Sequence, residues 1–229
     1  MFDIIDRITN LNSAVLRNTP GVNLNFNVFD DLSDDPTAWM EAQRTVESPL
    51  RFTKSQLHYN AIDFVFLQRS WMPTRFGDGS FPVWYGSLEL ETTFAETVFH
   101  WKQTILNDAF ELFSNYKEPI YTARTVFNTK CQSTLADLRG KETQLPSLIE
   151  KSTKYHDTQS IGLKFSKEGM PGLITKSARQ ENGTNVVVFN KNILATPSVN
   201  GDFLYEITPD NLSLTRVLHY TTKDLITTI

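Results

Sequence analysis

The sequence predicts an α+β domain: a mixed, mainly antiparallel sheet core with flanking helices. Three observations predict it. Short runs rich in Val, Ile, Phe, Tyr and Thr recur from residue 61 onward. One long segment, 92–113, carries a clear helical period. Strands and helices do not alternate with the regularity a parallel βαβ sheet needs. The chain has 229 residues, 40% hydrophobic and 21% charged, enough to bury a core without staples.

The elements follow in chain order. Residues 1–50 read as an N-terminal extension to a main domain at 51–229. In it, "NLNFNVF" (23–29) alternates Leu24, Phe26 and Val28 against asparagines, as a half-buried strand would. Asp35 as N-cap and Pro36 at the first helical position predict a short helix through Thr45. This extension suits a helical collar or an interface. Beyond it, "AIDFVFLQ" (61–68), "PVWYGS" (82–87), "PIYTARTVF" (119–127), "TNVVVFN" (184–190), "DFLYEIT" (202–208) and "LSLTRVLHY" (212–220) are candidate strands, the last two joined by a "PDN" turn. "NVVVF" is apolar on both faces, as in a central strand. In 92–113, Phe94, Val98, Trp101 and Ile105 form one stripe, and Glu96, His100, Gln103 and Asn107 a polar face toward solvent. Further helices are expected in "LPSLIEKSTKYH" and in "DTQSIGLKFSKEG", the second stopping at Gly169.

Composition excludes several functions. The net charge is −4, the sequence pI is about 5.6, and no Lys/Arg block stands out. Sequence-independent nucleic-acid binding and polybasic membrane attraction both need such a block. The N-terminus has no basic stretch ahead of an apolar one, and no apolar run approaches a membrane span. A cytoplasmic protein is expected, and the single cysteine, Cys131, fits a reducing compartment. The four histidines lack metal-ligand spacing, so no metal is expected. There is no G-x-S-x-G nucleophile elbow.

The stretch "RFGDGSFPVWYGSLELETTFAETVFH" (75–100) holds the candidate site residues. Each has a plain structural reading. Arg75 opens a two-glycine turn. Tyr85 shares a strand face with Phe81 and Val83, and Trp84 points the other way. "TFAE" (93–96) matches a capping box, with Thr93 as the cap and Glu96 reaching back to it. Ser177 reads as a turn serine.

Together, "RFGDGS", "VWYGS" and "AETVFH" resemble the core of the RES domain family, named for an Arg, a Glu and a Ser. "GMPGLITKSARQENGTNVVVF" (169–189) resembles the family's later block and puts Ser177 at the family serine. The resemblance spans residues 55–220. It is weak at 128–155 and absent from 1–50. The chain has "PTRFGDG" where many members have Gly-Gly-Arg-Trp-Asn.

The resemblance implies an ADP-ribosyltransferase-like fold of the diphtheria-toxin type, with NAD⁺ as the substrate. It implies a bacterial toxin that cleaves the nicotinamide–ribose bond, as a glycohydrolase or a phosphorylase. Glu96 would stabilise the oxocarbenium-like ribose. Tyr85 would stack on the cationic nicotinamide. Arg75 would fork onto phosphate or ribose oxygens. Ser177 would bond the ligand or hold the glutamate, and His100 lies one turn from Glu96. The implied partner is an antitoxin of the helix-turn-helix (Xre-like) type, and residues 1–50 offer a surface for docking or self-association. Two other readings stay open: transfer of ADP-ribose to a specific protein, and a non-catalytic nucleotide-binding or interaction module.

Overall fold

A computed structural model of the chain describes residues 7–20, 54–108, 119–151, 155–208 and 211–229, with backbone only for 104–108 and 212. Eight strands make one sheet: β1 (Ile8–Pro20), β2 (Trp84–Ser87), β3 (Ile120–Asp137), β4 (Gly172–Lys176), β5 (Thr184–Val188), β6 (Ser198–Thr208), β7 (Asn211–His219) and β8 (Leu225–Thr228). Their order is β1-β2-β5-β4-β3-β6-β7-β8, and β1 also pairs with β3. The first five strands of that order therefore close on themselves, while β6, β7 and β8 extend as a meander. Only β3–β4 is parallel. The α+β class and the mainly antiparallel sheet are as the sequence predicts.

The spine is the long β1–β3 ladder, which runs from Ile8 opposite Ala136 to Pro20 opposite Arg124. Strand β1 lies inside the expected N-terminal extension, which thus contributes a strand to the main sheet. The strand expected at 23–29 and the helix expected at 35–45 lie outside the described residues, as does the 209–210 part of the "PDN" turn. The strands at 82–87, 119–127, 184–190, 202–208 and 212–220 all form, and β3 runs ten residues further, to Asp137.

The strand expected at 61–68 is instead helical: α1 (Lys54–His58), a π-helical turn (Tyr59–Asp63) and α2 (Phe64–Phe66) run on continuously. Tertiary packing overrode the local β preference of Ile, Phe and Val. Leu57, Ala61, Ile62, Val65 and Phe66 fall at helical spacing and pack on Val15, Trp84, Phe127 and Val186. The Ala61 carbonyl, inside the π turn, accepts the Trp84 indole N–H at 2.7 Å. Among its described residues "LPSLIEKSTKYH" forms a 3₁₀ turn, Pro146–Leu148, and gives its last residue, His156, to the next helix.

Two helices frame the site. Helix α3 (Leu90–Asp108) buries Phe94, Val98 and Trp101 against Val126, Phe203, Tyr205 and Val217. Helix α4 (His156–Lys167) buries Ile161 and Phe165 and stops at Gly169, whose φ of 75° suits the left-handed stop. A Cβ on Gly162 would meet the Phe76 carbonyl oxygen at 1.9 Å, so the bare glycine lets α4 press directly on the turn that holds Arg75.

Candidate active site

A cleft of about 710 Å³ opens between α3, the 72–76 turn and the strand ends, within the size range of small-molecule sites. Arg75, Tyr85 and Glu96 all line it. The polar face of α3 that carries Glu96, His100 and Gln103 therefore lines this cleft, with His100 exposed at its mouth.

Glu96 is no cap. Helix α3 begins at Leu90, and the Thr93 N–H already bonds the Glu89 carbonyl at 3.1 Å, so Thr93 lies within the first turn. Glu89 does the tethering at this end: its Oε2 accepts from Thr92 Oγ1 and from the Thr184 N–H, both at 2.8 Å. The Glu96 side chain reaches across to the β4–β5 hairpin. Its Oε1 accepts from Ser177 Oγ at 2.7 Å and from Asn185 Nδ2 at 2.6 Å. No hydrogen bond among the described residues reaches Oε2.

Ser177 is both a turn serine and a holder of the glutamate. Its hydroxyl donates to Glu96, and its oxygen accepts the Arg179 and Gln180 N–H groups at 3.0 and 3.1 Å, closing a serine turn. Asn185 was not singled out from the sequence. Its Oδ1 accepts from Ser87 Oγ at 2.8 Å, which fixes the amide so that its nitrogen faces Glu96. In sequence it is one asparagine in a buried strand, and only the β2–β5 register opposite Ser87 reveals its place.

The Tyr85 hydroxyl is engaged by the Arg75 turn. It accepts the Phe76 N–H at 2.8 Å and pairs with Thr74 Oγ1 at 2.9 Å. Burial pushes this phenol well above its ordinary pKa, so it stays protonated. Gln159 of α4 clamps the same turn from the other side, donating to the Thr74 and Gly77 carbonyls. Phe81, Val83 and Tyr85 pack together and Trp84 faces the opposite core, as strand alternation predicts.

Arg75 has both terminal nitrogens on carbonyls: Nη1 on Ser147 and Leu148 at 2.8 and 3.4 Å, and Nη2 on Glu150 at 2.8 Å. Its guanidinium also stacks on Tyr155, 4.7 Å from the ring centroid. It thus ties the 3₁₀ turn and the residues just after it to the cleft rim. Arg179 lies 3.4 Å from the Phe99 centroid. Arg17 and Arg124 complete a set of four guanidiniums lining the cleft, and Glu96 is the one carboxylate among the described lining residues. Burial brings Arg17 down to about 10, leaving it a cation at neutral pH. At the cleft mouth, desolvation lowers the His100 pKa, Glu96 opposes this, and Arg179, Arg75 and Arg124 lower it further.

Cys131 is buried away from this site, and burial pushes its thiol up to about 11, so it is an inert core residue. Among the described residues no group of three or more His, Cys, Asp and Glu is placed to hold a metal ion. No described helix is long and apolar enough to cross a membrane.

The RES domain model matches residues 48–207, most of the chain, including the arginine turn, Tyr85, Glu96 and Ser177. The chain belongs to the RES domain family. Strand β1, with Arg17, precedes the matched residues, and β7 and β8 follow them. No curated protein sequence matches at a significant level. Among solved structures, the chain is similar to one in the M. tuberculosis MbcT-MbcA toxin-antitoxin complex, at 11% identity and a TM-score of 0.47, covering 89% of this chain and 88% of that one.

Proposed function

We propose that this RES domain protein is a toxin that consumes NAD⁺ by cleaving the nicotinamide–ribose bond. The observation that supports this most is the charge layout of the cleft. One carboxylate, pinned through a single oxygen, shares the cleft with four guanidiniums. NAD⁺ has the complementary layout, a cationic nicotinamide ring joined through ribose to an anionic diphosphate.

In this reading the C1′–N1 bond breaks and its electron pair goes to the pyridinium nitrogen, so nicotinamide leaves neutral. The ribose is left with oxocarbenium character, which Glu96 Oε2 stabilises while accepting a ribose hydroxyl. Ser177 and Asn185 hold Oε1, so the carboxylate need not reorganise as charge develops. The Tyr85 ring offers a face to the nicotinamide, and its engaged hydroxyl keeps that ring in place. Water then attacks C1′ and gives up a proton to solvent, or inorganic phosphate attacks it, giving ADP-ribose or its 1-phosphate.

An enzyme that drains a central cofactor from its own cell needs an off state. The reading therefore includes an antitoxin partner, of the helix-turn-helix type common in this family, that occupies the cleft. Expressing the chain alone in bacteria should lower cellular NAD⁺ and arrest growth, and the accumulating product identifies the acceptor. Normal growth with unchanged NAD⁺, while the protein is folded, overturns the toxin reading. ADP-ribose appearing on one cellular protein in place of NAD⁺ loss would make the protein a transferase.

A further inference from the structure

Buried polar atoms without a hydrogen bond are not spread evenly through this molecule. Among the described residues seven side-chain nitrogens and oxygens are sealed from solvent and unpaired. Four of them, Arg17 Nε, Asn18 Oδ1, Arg124 Nε and Thr175 Oγ1, belong to residues lining the cleft. Folded proteins pair nearly all such groups, so a concentration of orphans in one cleft marks donors and acceptors that a ligand completes.

Arg124 is the extreme case. Arg75 has both terminal nitrogens on carbonyls. Arg179 donates to the Lys151 carbonyl and stacks on Phe99. Arg17 reaches the Tyr85 carbonyl at 3.3 Å and lies over Trp84. Among the described residues no hydrogen bond reaches the Arg124 guanidinium. Removal from water without compensation lowers its pKa, with only Tyr205 opposing.

The strand register says what stands beside it. Asn18 is opposite Val126, and Tyr205 is opposite Thr122, so Asn18, Arg124 and Tyr205 share the sheet face that α3 covers. Asn18 gives its Nδ2 to the Tyr205 hydroxyl at 2.6 Å and keeps Oδ1 unpaired. From α3, Thr97, His100 and Gln103 line the same cleft. A forked cation with unused donors beside an unused amide oxygen fits a ligand that carries anionic oxygens and a hydroxyl.

We propose that Arg124, with Asn18 beside it, is an anion subsite of the cleft that takes a phosphoryl group. The subsite deepens the NAD⁺ reading and rests on it only for the identity of the ligand. The phosphoryl group has two sources: the diphosphate of the dinucleotide, or free inorganic phosphate. This places the phosphate-binding fork on Arg124, while Arg75 holds the 147–150 segment.

The test follows the side-chain Nε–H signal of Arg124 in ¹⁵N-labelled full chain, assigned by its loss in Arg124→Met or, if that variant does not fold, in Arg124→Lys. ADP-ribose and inorganic phosphate are the two probes, each raised into the millimolar range. Movement with ADP-ribose alone assigns the subsite to the dinucleotide, and ADP-ribose affinity should then fall about tenfold or more in a folded Arg124 variant. Movement with inorganic phosphate assigns it to the free ion. A signal that neither probe moves overturns the subsite. If the signal moves but NAD⁺ is never cleaved, the subsite stands and the cleavage reading falls. If nicotinamide is released and the signal stays still, the reverse holds.

Discussion

Asp137, where β1 meets the end of β3, and Glu96, in the cleft, are both carboxylates held by two neighbours, and the neighbours differ in kind. Asp137 is 3% exposed and is held by two arginines: Arg139 through Nε and Nη2 at 2.9 and 2.8 Å, and Arg7 at 2.7 Å. Both of its oxygens are occupied. Burial alone would raise its pKa, but the bonds from Arg139 and Arg7 outweigh burial and hold it down at about 2. Glu96 is held through one oxygen by two neutral donors. A cationic partner would neutralise a carboxylate meant for a positive transition state. Neutral donors fix its position and leave its charge available. Asp137 holds the end of the β1–β3 ladder, whereas Glu96, in the proposed reaction, keeps its charge for the ribose.

Exchanging charge for shape at each site sharpens the contrast. In Glu96→Gln the amide oxygen can keep the bonds from Ser177 and Asn185. Nicotinamide release from bound NAD⁺ should fall about 10²–10³-fold, with the melting temperature little changed. Asp137→Asn should do the opposite, costing about 2 kcal/mol of stability in denaturant titration and leaving turnover per folded molecule intact. The sign with pH is fixed: the folded pKa lies below the unfolded value of about 3.9, so the contribution is present above pH 4 and lost as pH falls toward 2. The variant should therefore show a flatter loss of stability across that window.

Smaller effects probe how Glu96 is held. Asn185→Ala removes one of its two bonds and should slow release about tenfold, with NAD⁺ affinity less affected. Tyr85→Phe leaves the buried Phe76 N–H without its acceptor and should cost about 1 kcal/mol in thermal unfolding, with the ring retained. Tyr85→Ala should lose release as well. A Tyr85→Phe variant as inactive as Tyr85→Ala would move the role from the ring to the hydroxyl.

Much of this was legible in the sequence where the pattern was local. The Phe94–Val98–Trp101 stripe, the alternation at Val83–Trp84–Tyr85 and the Gly169 stop each depend on neighbours a few residues away. What was not legible depended on distant pairing. Strand β1 reads "ITNLNSAVLRNTP", with Asn10 and Asn12 on exposed positions, and only its long ladder with β3 makes it a strand. The 61–68 segment has strand-forming residues at helical spacing, and the packing of Leu57, Ala61 and Phe66 on Trp84 and its neighbours decided between them. "TFAE" carries the capping pattern one turn inside a helix that starts at Leu90. Asn185 and Arg124 are single polar residues in strands, and their meaning comes from Glu96 across a hairpin and from the missing partner of a guanidinium.

The central claim is that a carboxylate pinned by neutral donors in an arginine-lined cleft breaks the nicotinamide–ribose bond. The most direct measurement incubates the purified, folded protein, free of any inhibitor, with NAD⁺ and quantifies free nicotinamide over time. The account predicts release over many turnovers, with ADP-ribose or its 1-phosphate in equal amount. NAD⁺ recovered intact would contradict it and leave the cleft a binding module.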